Sequence, residues 1–538
     1  MLEPSPELAA RYVEQGWWNG DTLQSMLARG LAASSGNVVR IHSKRRPYVG
    51  TVGEVADVGM RLASGLRAAG VGRDDVVAFQ IPNWMEAAAT FWGLTALGAT
   101  LLPIPHFYGM HELRHILAET GARTLVIPAA FGNRDHLAEA EALRADLPAL
   151  ERIIVIGEVA LPTWASAFDA VLADRATPID LPPPRPEDPA VIAYTSGTGS
   201  SPKGVIHAQR SLAFDTQFHI GPQVGNNPPM ISGSPVSHMA GMLVSLLVPP
   251  MWGQPIHLID VWDPQMVLDA MRAYGLVGGS GTAFFLTSLV DHPDFRPEDL
   301  AKMRTISVGG SPIPTAFVDR MAALGITLAR SYGSTEHPTT TATRVTDGPD
   351  KRRITNGPPT LGVEIRVVDP DGNDVPPGQP GEIITRGPDQ SSGYLNPANT
   401  AAAFAADGWI HSGDVGYLDR DGDLVLTDRL KDIIIRGAEN ISAAEVEEIL
   451  LRAPGVSEVA VVAAPDERYG ERACAFIRAV PGAAQHDLES LRKHLAASGL
   501  AKQKWPEEVR SVDELPRTPS GKIKKSALRD LLRAEADR

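Results

Sequence analysis

The stretch YTSGTGSSPKGV, Tyr194 to Val205, follows the apolar run Ala190, Val191, Ile192, Ala193. A short apolar strand, then glycines and hydroxyls, then a lysine, is how a phosphate cradle is written. Thr195, Ser196, Thr198, Ser200 and Ser201 offer hydroxyl donors, and Gly197 and Gly199 let backbone N–H groups turn inward. Lys203 supplies a point charge. A Walker loop needs Gly directly before Lys, but here Pro202 holds that place. Proline has no N–H and a fixed φ, so the Walker geometry cannot form. Read alone, the stretch is equally a plain surface turn.

Outward from this loop the chain alternates. Residues 55–69, 84–97 and 112–120 have helical patterns, while 76–80, 100–104, 124–127 and 153–156 read as short apolar strands. This alternation predicts an α/β domain with mainly parallel sheets flanked by helices. GVEIRVVDPDGNDVPPGQPGEIITRG reads as strand, turn, strand, a β-rich subregion. Further on, Ser442 stands three residues before Glu445, the spacing of a capping box. VSEVAVVAAP, ACAFIRAV and a helix over 487–497 then predict a small α+β domain of about 100 residues. A boundary near Asp428–Asp432 divides the chain into 1–430 and 431–538.

A length of 538 residues exceeds one ordinary core. The net charge of -14 argues against nucleic acid, so an anionic ligand must be met by local cations. Cys474 is the one cysteine, which excludes an intrachain disulfide and a multi-cysteine metal site. The N-terminal stretch lacks the apolar core of a signal peptide. Residues 87–105 are uncharged but diluted by Thr, Gly and Pro, and read as buried helix and strand rather than a membrane span. The expectation is a cytoplasmic protein whose oligomeric state is open.

Four further stretches keep company with the loop: SYGSTE at 331–336, GWIHSGDVGYLDRDG at 408–422, DRLKDIIIRGAENIS at 428–442 and LPRTPSGKIKK at 515–525. Together, in this order, the five stretches resemble the adenylate-forming enzymes, and within them the acyl-CoA synthetases, over nearly the whole chain. The resemblance implies ATP, Mg2+ and coenzyme A, a carboxylic acid substrate, and a mobile C-terminal domain. One departure is that Gly199 and Ser200 replace the Thr and Gly usual at those places.

The resemblance assigns roles residue by residue. Thr195, Ser196, Gly197, Thr198 and Lys203 would hold the ATP phosphates. GGSP at 309–312, through Gly310 and Ser311, would line the adenine. Tyr332 is a flat ring suited to a purine; with Gly333 and Ser334 it leads to Thr335 on the α-phosphate and Glu336 on Mg2+, a hard cation that prefers carboxylate and phosphate oxygens. Asp414, read as a turn residue before a strand-like GYLD, would take the ribose hydroxyls with Arg429. Lys522 matches the lysine that enters for adenylation, where charge neutralisation is the main catalytic contribution. Lys431 falls at the hinge, and Gly437 and Arg436 would face CoA.

SPVSHMAGM, with His238, Met239 and Met242, aligns with one wall of an acyl pocket. The chain has no acidic residue from Ser232 to Pro255, which argues against a substrate ammonium there. GLVGGSGTAFFLTSL would be the opposite wall, its glycines Gly278, Gly279 and Gly281 removing bulk and Ala283, Phe284, Phe285 and Leu286 adding apolar surface. The expected substrate is an apolar acid, medium-chain fatty, alicyclic or similar. Two alternatives are a ligase that loads acyl-AMP onto a carrier protein and a non-catalytic nucleotide or lipid sensor.

Overall fold

The computed structural model describes all residues except 196–201, 280, 312, 437–438, 467, 484–485, 519–520 and 537–538. Its central sheet has seven strands in the order Gly204–Ala208, Pro189–Tyr194, Thr100–Pro103, Val76–Phe79, Thr124–Pro128, Arg152–Ile156, Ala165–Ala167. Every neighbouring pair is parallel except the antiparallel edge pair Pro189–Tyr194 and Gly204–Ala208. Both faces are covered, which is why these strands read as unbroken apolar runs. Val77, Phe79, Leu101, Val126, Ile154 and Val191 fill one core, while Ala78, Leu102, Leu125, Ile127, Val155 and Ile192 fill the other.

On one face the helices Val52–Ala68 and Met85–Leu97 cross backbone to backbone. A Cβ at Gly93 would stand 2.2 Å from Gly59 O, and one at Gly59 would stand 2.6 Å from Ala89 O. The uncharged stretch is therefore the buried helix Met85–Leu97 followed by the strand Thr100–Pro103. Among the described residues no helix is long and apolar enough to cross a membrane.

Two further units position the site. The parallel strands Thr305–Gly309 and Thr327–Tyr332 lie beside an apolar cluster of their own, with Val308 and Leu328 inside it. The expected hairpin forms as Glu364–Val368 and Gly381–Arg386, and extends through Ile410–Leu418 and Leu424–Arg429 into a four-stranded antiparallel sheet.

After the short 3-10 turn Leu430–Asp432, the C-terminal α+β domain builds on the long antiparallel strands Val456–Asp466 and Gly470–Ala479. Val459, Val461, Ala475 and Ile477 face one core; Ala460, Val462, Cys474 and Phe476 face the other. Period-two alternation places them so. Ser442 caps the helix Ala443–Leu450 by accepting from Glu445 N at 3.0 Å. The reciprocal half of the box gives way to an ion pair of Glu445 with Lys504 at 2.6 Å.

The Gly59–Gly93 crossing leaves no room for a methyl group. Gly93→Ala is expected to cost about 1–3 kcal/mol, seen as a lower urea midpoint at unchanged m-value.

Candidate active site

Three loops leave the carboxyl ends of parallel strands, the place where open α/β sheets bind ligands. The first follows Pro189–Tyr194. Thr195 N donates to Lys203 O at 3.1 Å and closes the neck of the loop, and the ring of His115 bonds Pro202 O at 3.0 Å. Ser196, Gly197 and Thr198 lie outside the described residues. Lys203 Nζ stands 5.4 Å from the ring centroid of Tyr394, whose hydroxyl donates to Glu336 Oε1 at 2.6 Å. One tyrosine thus sits against both the loop lysine and the expected metal carboxylate. Burial and the Glu336 carboxylate raise the Tyr394 phenol, so it stays a donor.

The second loop follows Thr327–Tyr332. It does not start a helix; it turns sharply at Gly333, where a Cβ would stand 1.8 Å from Pro338 O. His207, on the edge strand of the central sheet, donates from Nε2 to Thr335 O at 2.7 Å, burial keeping its ring neutral. Ser391 N donates to Glu336 O at 2.8 Å. His337 bonds Asp389 Oδ1 through Nε2 at 3.0 Å and Thr385 through Nδ1 at 2.8 Å. Ser334 N is fixed too, donating to His337 O at 2.9 Å. Thr335 and Glu336 are therefore held from behind by main chain and by buried histidines.

Asp414 corrects its expected setting. It lies inside the nine-residue strand Ile410–Leu418, directly across from Arg429 in the register, not in a turn. Its neighbour Gly413 has φ 70°, and a bulge between Val415 and Gly416 gives the kink that read as a turn. Tyr332 OH donates to Asp414 Oδ2 at 2.8 Å, and Arg429 Nε lies 2.9 Å from Oδ1.

The third loop is GGSP. Gly310 has φ 72°, in the left-handed region, and a Cβ there would contact Lys522 Cε at 3.6 Å and Nζ at 3.7 Å. The catalytic lysine expected from the far end of the chain therefore already reaches the strand end beside Ser311. Burial, then Arg429 and Lys431, push Lys522 down to about 8 against the opposing pull of Asp414. The lysine is seated by its own turn: Thr518 N donates to Lys522 O at 2.8 Å and Lys522 N donates to Thr518 Oγ1 at 3.1 Å.

His238 is half-buried beside this lysine, with its Nε2 out of contact with solvent. Burial, then Lys522 and His106, push its imidazole down to about 3, so it is a neutral ring. Phe107 lies 5.6 Å from it, centroid to centroid. Met239 and Met242 pack into the main apolar core. Ala283 and Phe284 open the helix Ala283–Val290. Phe284 meets the lysine turn: a Cβ at Gly521 would stand 2.9 Å from Phe284 Cβ and 2.8 Å from Thr282 Oγ1. In the expected opposite wall several side chains face cores instead. Phe285 and Leu286 are buried, Phe285 against Trp262 and Leu286 in the second core. Gly278 and Gly279 do not open space; a Cβ at either would strike Met271 or Leu286 within 3.0 Å. They let the strand end approach its helices.

Lys431 lies in the 3-10 turn Leu430–Asp432. Arg436 Nε donates to Glu507 Oε1 at 2.6 Å, with its guanidinium 4.0 Å from the Tyr469 ring centroid. Gly437 lies outside the described residues. Sequence reading missed Tyr394, His207, Asp389, His337 and Gly521. Only Gly521, in PSGK, stood inside a recognised motif; the others are joined to the loops by contacts across tens to more than a hundred residues.

Strand-end loops met by a lysine from the C-terminal α+β domain are the arrangement of a two-domain ligase of the AMP-forming kind. The chain belongs to the AMP-binding enzyme family: residues 40–395 match that family, and residues 445–522 match the AMP-binding enzyme C-terminal domain. It is similar to a medium-chain fatty-acid–CoA ligase of Escherichia coli, 31% identical over 97% of this chain and 93% of the relative. A feruloyl-CoA synthase of Amycolatopsis is 33% identical over 87% of this chain and 91% of its own. Among solved structures, ATP-bound MatB from Rhodopseudomonas palustris superposes with a TM-score of 0.82 at 25% identity, covering 94% of this chain and 98% of that one. The protein is accordingly an ATP-dependent, AMP-forming acyl-CoA ligase.

Gly521 has φ 81° and no space for a side chain. Gly521→Ala is expected to slow acyl-adenylate formation at least about tenfold, because a small misplacement of a catalytic group is costly. ATP affinity, measured by calorimetry, should change far less.

Proposed function

We propose that the protein activates an apolar carboxylic acid of medium size, fatty, alicyclic or ring-bearing, and transfers its acyl group to coenzyme A. The observation that carries this reading is the convergence of Lys522, Gly310, Asp414 with Arg429, and the neutral ring of His238. A neutral, half-buried imidazole beside Phe107 and no carboxylate between Ser232 and Pro255 suit an uncharged acyl tail. Similarity to ligases of medium-chain and aromatic acids supports the same class.

In the first half-reaction an oxygen of the substrate carboxylate attacks the α-phosphorus of ATP. The bond from that phosphorus to the bridging oxygen breaks, and pyrophosphate leaves with the electron pair. Lys522 lies between the acid wall and the strand-end loops, so its ammonium meets the charge gathering around the α-phosphate. Lys203 takes the leaving-group side, and Thr335 contacts the α-phosphate. Asp414 and Arg429 hold the ribose, Ser311 and Tyr332 the base. Glu336, with one oxygen on Tyr394, would hold Mg2+ through the other, and the ion supplies charge neutralisation on the phosphates. In the second half-reaction the CoA thiolate attacks the acyl carbon, the bond to AMP oxygen breaks, and AMP leaves. A division at 430/431 with its hinge at Lys431 lets the domain of 431–538 withdraw Lys522 and present Arg436 and Gly437 to CoA. The single cysteine is buried with its thiol pushed up to about 12, which suits a protein working in the cytoplasm.

Pyrophosphate release and acyl-CoA formation, screened over fatty, alicyclic and aromatic acids with and without CoA, test the reading. Turnover is expected with apolar acids, with acyl-CoA as product. Turnover to acyl-AMP with no thioester in the presence of CoA would favour a carrier protein as acceptor instead.

The lysine makes a second test. Lys522 is cationic below about 8 in the free enzyme and loses its charge above it. The adenylation kcat/KM should therefore fall roughly tenfold per pH unit above that value. In Lys522→Arg the falling limb should move beyond the range, whatever the absolute rate, because guanidinium does not titrate there.

A further inference from the structure

Next to the Thr335–Glu336 loop lies a cluster of chemical groups that the ligation does not use. Asp215 and His219 stand four residues apart on the π-helical segment Asp215–Ile220, and Asp389 follows the strand Gly381–Arg386. All three side chains are fully buried. His219 Nε2 bonds Leu361 O at 2.7 Å, which uses the one ring proton of a neutral imidazole. Nδ1 then turns a lone pair inward. It stands 3.4 Å from Asp215 Oδ1 and 3.4 Å from Asp389 Oδ2, and hydrogen-bonds to neither. Both Asp215 oxygens are buried without a hydrogen bond of good geometry, with His219 and the Thr339 side chain as their only weak partners among the described residues. Acceptors facing one another out of water are costly unless something positive stands between them.

Two arrangements could balance this. A second proton on His219 gives an imidazolium, but one N–H cannot point at two carboxylates, and neither 3.4 Å separation is a good hydrogen bond. A cation does better. Donors 3.4 Å apart, each about 2.0–2.1 Å from an ion, subtend about 110° at it, close to tetrahedral. All three donor atoms lie within 4.8 Å of one another. Two carboxylates and a neutral imidazole cancel a doubly charged ion, so no net charge is buried. The bond of Nε2 to a backbone carbonyl is the usual outer support of a metal-binding histidine. Asp389 is likewise steadied, by His337 Nε2 at 3.0 Å and Thr339 N at 3.4 Å. Single-turn π segments also collect at functional sites.

We propose that Asp215, His219 and Asp389 bind a buried divalent transition-metal ion of the zinc type, separate from the Mg2+ at Glu336. An imidazole nitrogen beside carboxylate donors favours that ion over Mg2+, which demands octahedral oxygen. Through Asp389 and His337 the ion clamps the loop that carries Thr335 and Glu336.

The test is metal analysis of tag-free protein, produced in zinc-supplemented medium and dialysed against a chelator at neutral pH. About one equivalent per chain should survive dialysis, because a fully buried ion enters with folding and leaves with unfolding. Glu336→Gln should keep it, and His219→Ala and Asp215→Asn should lose it. Protein refolded with Co2+ should show the visible absorption of a four-coordinate site. These readouts need no turnover, so they stand or fall apart from the ligase reading. Folded wild-type protein with well under half an equivalent of any transition metal overturns the proposal, as does metal retained by folded His219→Ala.

Discussion

The site has to gather a polyanion with cations that repel one another until it arrives. Lys522, Arg429 and Lys431 stand close enough that the latter two lower the charge-holding capacity of the first, and only Asp414 opposes them. With a net charge of -14 the chain offers no long-range pull on ATP, so the attraction is local. The lysine is depressed first by its burial and then by that repulsion. ATP phosphates would relieve it, and so bind most favourably to the arrangement that also performs the chemistry.

Holding the cations there needs rigid supports, and the fold provides them at strand ends. The edge strand Gly204–Ala208 is central to this. Its His207 grips Thr335 O, and its main chain pairs with the segment around Ser392–Leu395, which delivers Tyr394 to Glu336 and Lys203. The neck of the first loop at Lys203, the segment of Thr335 and Glu336, and the tyrosine between them are thus parts of one hydrogen-bonded layer. Flexible side chains such as Lys203 need that framework, because a lysine gives charge but little geometry.

What could be read from the sequence follows from how local each feature is. The parallel sheet was legible because doubly buried strands leave continuous apolar runs such as Leu125–Ile127, and Ser442 was legible because a cap is decided within four residues. Asp414 was placed in a turn because Ser-Gly-Asp looks like one; a bulged strand uses the same residues, and only pairing with Arg429 across the sheet tells them apart. Gly278 and Gly279 looked like absent bulk in a pocket. They are absent bulk against Met271 and Leu286, and sequence does not say what a missing side chain would have met. Tyr394 lies 58 residues from Glu336, and His207 lies 128 from Thr335, so no spacing rule could join them.

The contact between the two domains is of a kind that can be given up. Glu448 accepts from Thr315 N at 3.3 Å, Arg452 donates to Thr315 Oγ1 at 2.7 Å, and Asp428 accepts from Ala444 N at 3.3 Å. Partly exposed polar contacts of this sort are worth about 0–1 kcal/mol each, since water replaces what is lost. Among the described residues an apolar contact is made by the turn at Gly521 on Phe284, with Arg517 5.3 Å from the same ring. The proposed withdrawal of Lys522 between half-reactions needs this balance: an interface weak enough that product chemistry, rather than domain adhesion, can decide when it opens.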